Sequence, residues 1–177
     1  MADLFRMRQI NALYRNAVDK RRSISGVTLA ELMIIIVIAA ILAVVAVPNL
    51  GRMLSRIHTR NSVNEIKSTL ALAQARAIAN PRVHCGVYFN TSDQKMLIFF
   101  DDNENNHYDS GADRIYKDNY SLDKSTKFIL TSVPNDVVIF RGDGSAKNGA
   151  TIQAKDTKYN QTKTITVVKQ SGKIQIQ

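Results

Sequence analysis

The sequence contains no tryptophan, a single cysteine, and few glycines and prolines, eight and three in 177 residues. One cysteine, Cys85, excludes an internal disulfide framework and a zinc site built on several thiolates. Glycine and proline are too scarce for a collagen-like chain, and apolar residues, at 45%, are too many for a disordered one. The length therefore predicts one folded domain of ordinary size with an appendage.

Groups that could carry catalysis are also scarce. His84 is adjacent to Cys85 in a predicted strand, where neighbouring side chains point to opposite faces and cannot act as a pair. The turn at 142–145 is rich in glycine, but neither a Lys-Ser/Thr pair nor a helix follows it, as a phosphate-binding loop requires. Because no nucleophile, base and orienting group form a set, we predict a protein that is not an enzyme and has no cofactor, apart from the calcium considered below.

Charge is almost absent from one long stretch near the N-terminus. Residues 27–47 include a single charged side chain, Glu31. As a helix they would extend about 31 Å, enough to cross the ~30 Å hydrocarbon core of a bilayer. Residues 1–26 carry six basic and two acidic side chains, which places the N-terminus in the cytoplasm. A secretory signal peptide would have a shorter apolar core followed by small residues, so we predict a retained transmembrane helix.

The residues at 26–31, GVTLAE, follow this basic leader and open the apolar stretch. Together they resemble the class III signal of type IV pilins and pseudopilins. The resemblance implies cleavage after Gly26 by an inner-membrane prepilin peptidase, methylation of the new N-terminus at Val27, and a register-setting role for Glu31 in assembly. A carboxylate at mid-bilayer costs about 2.5–3.5 kcal/mol, so pairing Glu31 with a neighbouring subunit's new amine is favourable. Alternatively, Glu31 lies near the interface and reaches the head groups.

The pattern changes after the apolar stretch. The resemblance also implies a helix kink at Pro48 and Gly51, where helices of this family carry a break. At Pro48 the physical reason is that proline removes a backbone donor and crowds the preceding turn. An amphipathic helix then occupies 50–80 and ends at Asn80-Pro81. Its apolar positions are Leu50, Met53, Leu54, Ile57, Val63, Ile66, Leu70, Ala73 and Ala77.

From Arg82 onward apolar residues recur with a period of two, which is typical of strands. The predicted strands are 83–89, 95–100, 127–133, 137–140, 164–169 and 173–177. A lone helix followed by strands predicts an α+β fold. In it a long N-terminal helix, transmembrane in its first half and amphipathic in its second, packs on an antiparallel β-sheet domain.

Later motifs narrow the resemblance. The helix end at 70–79, the Asp/Asn-rich loop after Phe99-Phe100, the turn at 139–144 and the closing hairpin at 165–174 are similar to those of the GspH/FimT group of minor pseudopilins. The resemblance implies a pilin-like organisation. Its parts are a cleaved cytoplasmic leader at 1–26, a transmembrane and filament-core helix at 27–49, an amphipathic periplasmic helix at 50–80 and an antiparallel β-sheet domain at 81–177.

The loop at 101–113 is dense in the carboxylate and amide oxygens that Ca²⁺ prefers as ligands. Neither register of the EF-hand template fits: a start at Asp101 leaves Ala112 in the closing position, and a start at Asp102 puts His107 where glycine belongs. A solvated acidic loop and a weak calcium site are both open. The residues that would hold calcium are Asp101, Asp102, Asn103, Asn105, Asp109 and Asp113.

Basic charge suggests a second partner. The net charge is +9, and from Arg141 onward seven basic residues accompany two acidic ones. Such a surface suits DNA phosphates, and some relatives in the GspH/FimT group bind DNA during natural transformation. Those relatives resemble one another in an Arg-bearing tail, which this chain lacks after Gly172. The residues that would contact DNA are Lys155, Lys158, Lys163, Lys169 and Lys173.

These patterns predict a minor pilin-like structural subunit of a type II secretion pseudopilus or a type IV pilus. A DNA-binding minor pilin for DNA uptake is the alternative, and an ordinary signal-anchored periplasmic domain is the third interpretation. The expected partners are other pilin or pseudopilin subunits, the prepilin peptidase/methyltransferase and inner-membrane lipid. We expect a single-pass protein of the bacterial inner membrane with a periplasmic C-terminal domain, which later enters a filament.

Overall fold

The computed structural model describes residues 26–177, apart from the side chain of Asn119. Of the predicted leader at 1–26, all but Gly26 lies outside the described residues. The chain divides into two compact units, with the boundary between Val45 and Ala46.

One long helix, α1, spans Leu29–Ala79. It begins two residues later than predicted and ends, as predicted, before Asn80-Pro81, where the Asn80 N–H still donates to the carbonyl of Arg76 (3.1 Å). Among the described residues, α1 alone has the length and apolar composition to cross a membrane. The side chains of its apolar N-terminal segment are exposed, which is the state expected of residues that contact lipid or other helices.

Eight strands follow and form two four-stranded sheets. Sheet I has the order β3-β2-β1-β5 and sheet II the order β4-β6-β7-β8, and every pairing between these strands is antiparallel. The predicted α+β class with an antiparallel sheet domain is therefore confirmed, although the domain has two sheets. The strands are β1 (His84–Asn90), β2 (Lys95–Asp101), β3 (Arg114–Ser121), β4 (Thr126–Ser132), β5 (Val137–Phe140), β6 (Ala150–Asp156), β7 (Thr162–Val167) and β8 (Ile174–Ile176).

Two strands, β3 and β6, are absent from the sequence prediction. β3 is an edge strand with a mixed polar sequence, RIYKDNYS, and most of its side chains are exposed. A cation–π contact helps to hold β3 against the helix: the Arg76 guanidinium of α1 lies over the ring of Tyr116, 4.4 Å from its centroid. β6 alternates buried and half-buried positions as a strand should, but two of its inward residues are the alanines Ala150 and Ala154. Because alanine differs little in hydrophobicity from its polar neighbours, the period of two is not visible in the sequence of β6.

The main core lies between α1 and both sheets. Val63, Ile66, Leu70, Ala73 and Ala77 are fully buried there, as the amphipathic pattern predicts. Sheet I contributes apolar side chains such as Val87 and Ile98, and sheet II contributes Phe128, Ile152 and Ile165.

The first part of the predicted apolar stripe faces away from this core. Leu50, Met53, Leu54 and Ile57 remain 43–59% exposed, while the small residues Ser55, Thr59 and Ser62 are buried instead. The reason is geometric: Val63 is six residues after Ile57, and six residues advance a helix by one full turn plus roughly 240°, so the two side chains lie on different faces. The apolar pattern thus joins two different faces of α1.

A second, smaller core covers the opposite face of sheet I. It consists of Phe99, Val137 and Ile139, with Tyr108 of the acidic loop packed against them. The Tyr108 ring stacks on Tyr88 and meets Phe99 edge-on, with centroids 5.2 Å apart in both pairs. The loop at 102–113 is therefore folded back over the sheet.

Candidate functional site

The candidate processing site lies at the start of the described chain. Gly26 and Val27 precede α1 and belong to no helix or strand, and both are exposed. Thr28 caps the helix, because its Oγ1 accepts the N–H of Glu31 (3.2 Å) and its carbonyl accepts that of Leu32 (3.1 Å).

Sequence reasoning missed the role of Thr28. The signal was present, since a threonine followed three residues later by a glutamate, just before an apolar run, is the signature of a capping box. Glu31 is thus in the first turn of α1, where the helix dipole favours a negative charge. The Gly26–Val27 bond is left in accessible, non-helical backbone.

The two residues of the predicted kink have different surroundings. Pro48 lies inside α1, which the structure describes as one helix through this point. Gly51 instead accommodates a tyrosine: a Cβ at this position would be 2.0 Å from the Tyr159 hydroxyl oxygen. The absence of a side chain at Gly51 therefore allows the β6–β7 turn to approach α1, and the predicted kink stays a prediction.

A buried carboxylate shapes that turn. Asp156 is 2% exposed, and its Oδ1 accepts the N–H groups of Lys158 (2.9 Å) and Tyr159 (2.6 Å). Burial works to raise the pKa of the Asp156 carboxyl, but the N–H groups of Tyr159 and Lys158 outweigh it and hold the pKa below its ordinary value. The charge of Asp156 thus orders the turn that carries Tyr159.

A second contact joins the same part of α1 to the connection between β3 and β4. The Nδ1 atom of His58 lies 3.0 Å from Oδ2 of Asp123. Asp123 also accepts the hydroxyl and the N–H of Ser125, and these hydrogen bonds, with the His58 contact, hold its carboxyl pKa below the usual range. The region 51–58 of α1 is consequently attached to sheet II at two points.

Three of the motifs that carry the family resemblance meet at one side chain. The Nε2 atom of Gln74 donates to the carbonyl oxygens of Gly144 (2.7 Å) and Gly172 (3.2 Å). Gln74 belongs to the helix-end motif, Gly144 to the turn after β5, and Gly172 to the closing hairpin. Both glycines have positive φ, +82° and +61°, a conformation that other residues rarely adopt. We call this junction the Gln74 clasp.

The acidic loop is built on two buried carboxylates. Asp101 is fully buried and accepts the N–H groups of Asn105 and Asn106, each at 3.1 Å. Asp113 accepts those of Asp102 (3.2 Å) and Asp109 (2.8 Å). Burial raises the pKa of the Asp101 carboxyl, although the Asn106 N–H opposes the change. The two carboxylates therefore hold the loop in its conformation by accepting hydrogen bonds from its backbone N–H groups.

The other candidate calcium ligands are engaged within the loop as well. Arg114 donates two hydrogen bonds to Asp102, at 2.7 and 2.8 Å, and this pairing lowers the pKa of the Asp102 carboxyl. The amides of Asn103 and Asn105 both donate to Asp109 and lower its pKa. Within residues 26–177, no three His, Cys, Asp or Glu side chains form a group suited to a metal ion. Calcium binding stays a prediction.

The five candidate DNA-binding lysines do not form one patch. Lys155, Lys158 and Lys163 lie around the β6–β7 turn, whereas Lys169 and Lys173 flank the β7–β8 turn. β7 separates the two groups: the four strand residues that follow Lys163, up to the end of β7 at Val167, extend about 13 Å, and Lys169 lies in the turn beyond them. The two groups therefore occupy opposite ends of sheet II.

Cys85 and His84 face different environments, as the strand alternation predicts. Cys85 points into the main core, and burial raises the pKa of its thiol to about 12. His84 is the cross-strand partner of Asp101 on the other face of sheet I. The two side chains therefore do not form a nucleophile–base pair.

The family model described as type II transport protein GspH matches residues 62–172. Among solved structures, the minor pseudopilin EpsH from the type 2 secretion system of Vibrio cholerae aligns with a TM-score of 0.52 at 10% identity, covering 68% of this chain and 96% of EpsH. The type IV minor pilin FimU of Pseudomonas aeruginosa aligns with a TM-score of 0.54 at 13% identity, covering 69% and 90%. Comparison with curated proteins finds no match.

Proposed function

Because the chain belongs to the GspH family of type II transport proteins and has the fold of minor pseudopilins and minor pilins, we propose that it is processed after Gly26 and assembled into a filament. In this proposal α1 first anchors the chain in the inner membrane through its apolar first half, with residues 1–26 in the cytoplasm and the sheet domain in the periplasm. Cleavage then frees the helix to join the core of a pseudopilus or pilus.

One observation carries the proposal: the Gly26–Val27 bond lies in exposed, non-helical backbone immediately before the capped start of α1, whose apolar N-terminal segment is exposed. A peptidase needs backbone that is not already hydrogen-bonded in a helix. Because the cap is at Thr28, α1 keeps its first turn without any of the residues that cleavage removes. The helix that remains is apolar enough to require lipid or other helices around it.

Glu31 supports the assembly step. Cleavage creates an α-amino group at Val27, one turn from Glu31, and its methylation keeps a positive charge there. In surroundings of low dielectric an unpaired carboxylate is unfavourable, so pairing with the amine of a neighbouring subunit fixes the register of adjacent helices. We propose other pilin or pseudopilin subunits as the partners.

Co-expression with a prepilin peptidase, followed by intact-mass measurement, tests the processing. We expect loss of residues 1–26 and the gain of one methyl group on Val27, whereas Gly26→Asp should leave the leader in place. Thr28→Ala, which removes the cap but not the cleavage residues, is the matched control and should still be processed. A mature chain cut beyond Pro48, or filaments containing uncut chains, would contradict the proposal.

Assembly is tested separately with Glu31→Gln. This variant should be cut and methylated normally but should fail to enter sheared filaments in a host that expresses the complete assembly machinery. Glu65→Gln is the matched control, since Glu65 is a half-buried carboxylate in the second half of α1. Equal recovery of Glu31→Gln and wild-type chains in filaments would contradict a register-setting role for Glu31.

DNA binding remains the alternative function. The cluster of Lys155, Lys158 and Lys163 at one end of sheet II is the feature that supports it, and its separation from the other two lysines limits it to a short contact. A mobility-shift assay with duplex DNA at several salt concentrations tests it. A contact made by three lysines predicts a slope of log K against log salt of about −3.

A further inference from the structure

A pocket of about 360 Å³ opens at the end of sheet II near the β6–β7 turn. Strands β4 and β6 provide its floor, the β6–β7 turn one wall, and Gln94 of the β1–β2 turn another. The residues that line it are Gln94, Lys127, Phe128, Ile129, Lys155, Asp156, Thr157 and Asn160. We call it the Lys127–Lys155 pocket.

The two lysines are held side by side by the strand register. Lys127 of β4 is the direct antiparallel partner of Lys155 of β6. The neighbours of Lys127 along β4 and those of Lys155 along β6 are buried, so both ammonium groups project from the outer face of the sheet. Like charges in directly opposite positions are unfavourable in a sheet. An anion bound between them would convert this repulsion into attraction.

Nothing in the described chain neutralises the two ammonium groups by direct pairing. Within residues 26–177 neither lysine forms an ion pair. Asp156 lies in the pocket wall, but its carboxylate is 2% exposed and is directed to the N–H groups of the turn. The pocket therefore presents two cations and no accessible carboxylate.

The remaining walls combine a hydrogen-bonded glutamine with an apolar side chain. The Oε1 atom of Gln94 accepts the N–H of Phe128 (2.8 Å), and its Nε2 atom donates to the carbonyl of Thr91 (2.7 Å). This arrangement covers the free edge of β4 at Phe128, so an added strand cannot pair there. Beside the lysines, Ile129 is 44% exposed and offers an apolar contact.

We propose that the Lys127–Lys155 pocket binds an acidic segment of a partner protein, with a glutamate or aspartate carboxylate between the two ammonium groups and an adjacent apolar side chain against Ile129. The apolar wall favours a peptide over nucleic acid, since a phosphate backbone uses a longer basic track. The lysines at the other end of the sheet lie beyond Val167, about 16 Å along β7 from Thr162, the strand partner of Lys155. This site does not depend on cleavage after Gly26.

Fluorescence anisotropy with the full-length chain in detergent micelles tests the site. The probe is a fluorescein-labelled peptide of alternating glutamate and leucine, and the comparison peptide has glutamine in place of glutamate. We expect the glutamate peptide to bind at least about tenfold more tightly, and Lys127→Gln/Lys155→Gln to abolish the difference. Lys169→Gln/Lys173→Gln, which removes the same charge from the other end of sheet II, should bind as the wild type does.

Several outcomes would overturn the proposal. They are equal binding of the two peptides, unchanged binding by Lys127→Gln/Lys155→Gln, or equal loss in both double variants. A 20-base-pair DNA duplex is added so that its phosphate concentration equals the carboxylate concentration of the peptide. Displacement of the peptide under this condition would indicate that the lysines bind nucleic acid instead. The Tm of Lys127→Gln/Lys155→Gln without peptide should match or exceed that of the wild type, because like-charge repulsion is relieved. That measurement separates lost binding from damage to the fold.

Discussion

The α-carbon of Gly172 packs so closely against Gly144 that a Cβ on Gly172 would lie 2.1 Å from the Gly144 carbonyl oxygen. That same oxygen accepts a hydrogen bond from Gln74, as does the Gly172 carbonyl. The Gln74 clasp therefore joins α1 to a turn of each sheet: the one that follows β5 and the one that connects β7 to β8. Loss of either glycine should loosen the attachment of both sheets to the helix.

Gly172→Ala should destabilise the sheet domain by about 2–4 kcal/mol, because left-handed backbone strain and steric overlap act together. Gly111→Ala separates the two effects, since Gly111 has φ of +102° but no atom within 4 Å of an added Cβ. It should cost only about 1 kcal/mol. Thermal melting of the full chain in detergent, followed by circular dichroism, measures the three Tm values. Equal Tm losses for the two variants would show that the clasp adds nothing.

A double-mutant cycle at Gly51 and Tyr159 distinguishes the packing role of the glycine from a hinge role. Gly51→Ala should destabilise the wild-type chain because its methyl group overlaps the Tyr159 hydroxyl. In a Tyr159→Ala background the same change should be neutral or stabilising by up to about 1 kcal/mol, since alanine is the better helix former. Urea denaturation gives the four free energies of unfolding. A Gly51→Ala cost that persists in the Tyr159→Ala background would instead indicate a hinge.

The charge of Asp156 should make stability depend on pH. Its folded-state pKa is lowered, so it contributes stability above its ordinary pKa, and that contribution is lost as pH falls through the folded-state pKa. Asp156→Asn keeps an oxygen that can accept both N–H groups and removes only the charge. It should therefore cost about 1–3 kcal/mol at pH 7 and progressively less below about pH 4. A destabilisation that does not change between pH 7 and pH 2.5 would argue against this explanation.

The thiol of Cys85 should be almost inert in the folded chain. Burial raises its pKa to about 12, and the thiolate is the reactive form. Iodoacetamide at pH 8 should therefore modify the folded protein at least about a hundredfold more slowly than the protein in urea. Mass spectrometry at timed intervals gives both rates. Comparable rates would mean that the strand β1 opens readily.

Tyr108→Ala should destabilise both the acidic loop and sheet I. Tyr108 covers Tyr88 and Phe99, and truncating a half-buried aromatic residue at such a contact costs about 2–4 kcal/mol.

Thermal melting of the full chain in calcium and in chelator tests the calcium prediction. If the loop binds calcium, calcium must raise the Tm of the wild-type chain by mass action, and Asp109→Asn should abolish that increase. A wild-type Tm that is equal in calcium and in chelator would contradict calcium binding by the loop.

The sequence predicts those features of the fold that depend on local periodicity. The second half of α1 is an example, because Val63, Ile66 and Leu70 recur at helical spacing and all are buried. Strand β5 is predicted at its observed bounds, because four consecutive apolar residues lie between turn signals. β6 is missed, because inward alanines carry too little hydrophobic contrast to reveal the alternation.

Features that depend on distant parts of the chain are not predicted. Gln74 contacts glycines 70 and 98 residues away, and no local pattern in one sequence specifies such a pairing. Gly51 is predicted as part of a kink because it stands where helices of the resembled family carry a break, whereas its contact with Tyr159 requires the folded β6–β7 turn. The Lys127–Lys155 pocket likewise depends on a strand register that periodicity leaves undefined.

The Tyr159 contact has a mechanical consequence. Tension that travels along α1 toward its C-terminal end would reach sheet II at Gly51, among other contacts, because the Tyr159 ring lies against the helix backbone there. The β6–β7 turn would receive this load through a ring whose own backbone is fixed by Asp156, so it should resist shear without a covalent link. A subunit pulled by its helix would therefore transmit force to its domain through this ring as well as through the apolar core.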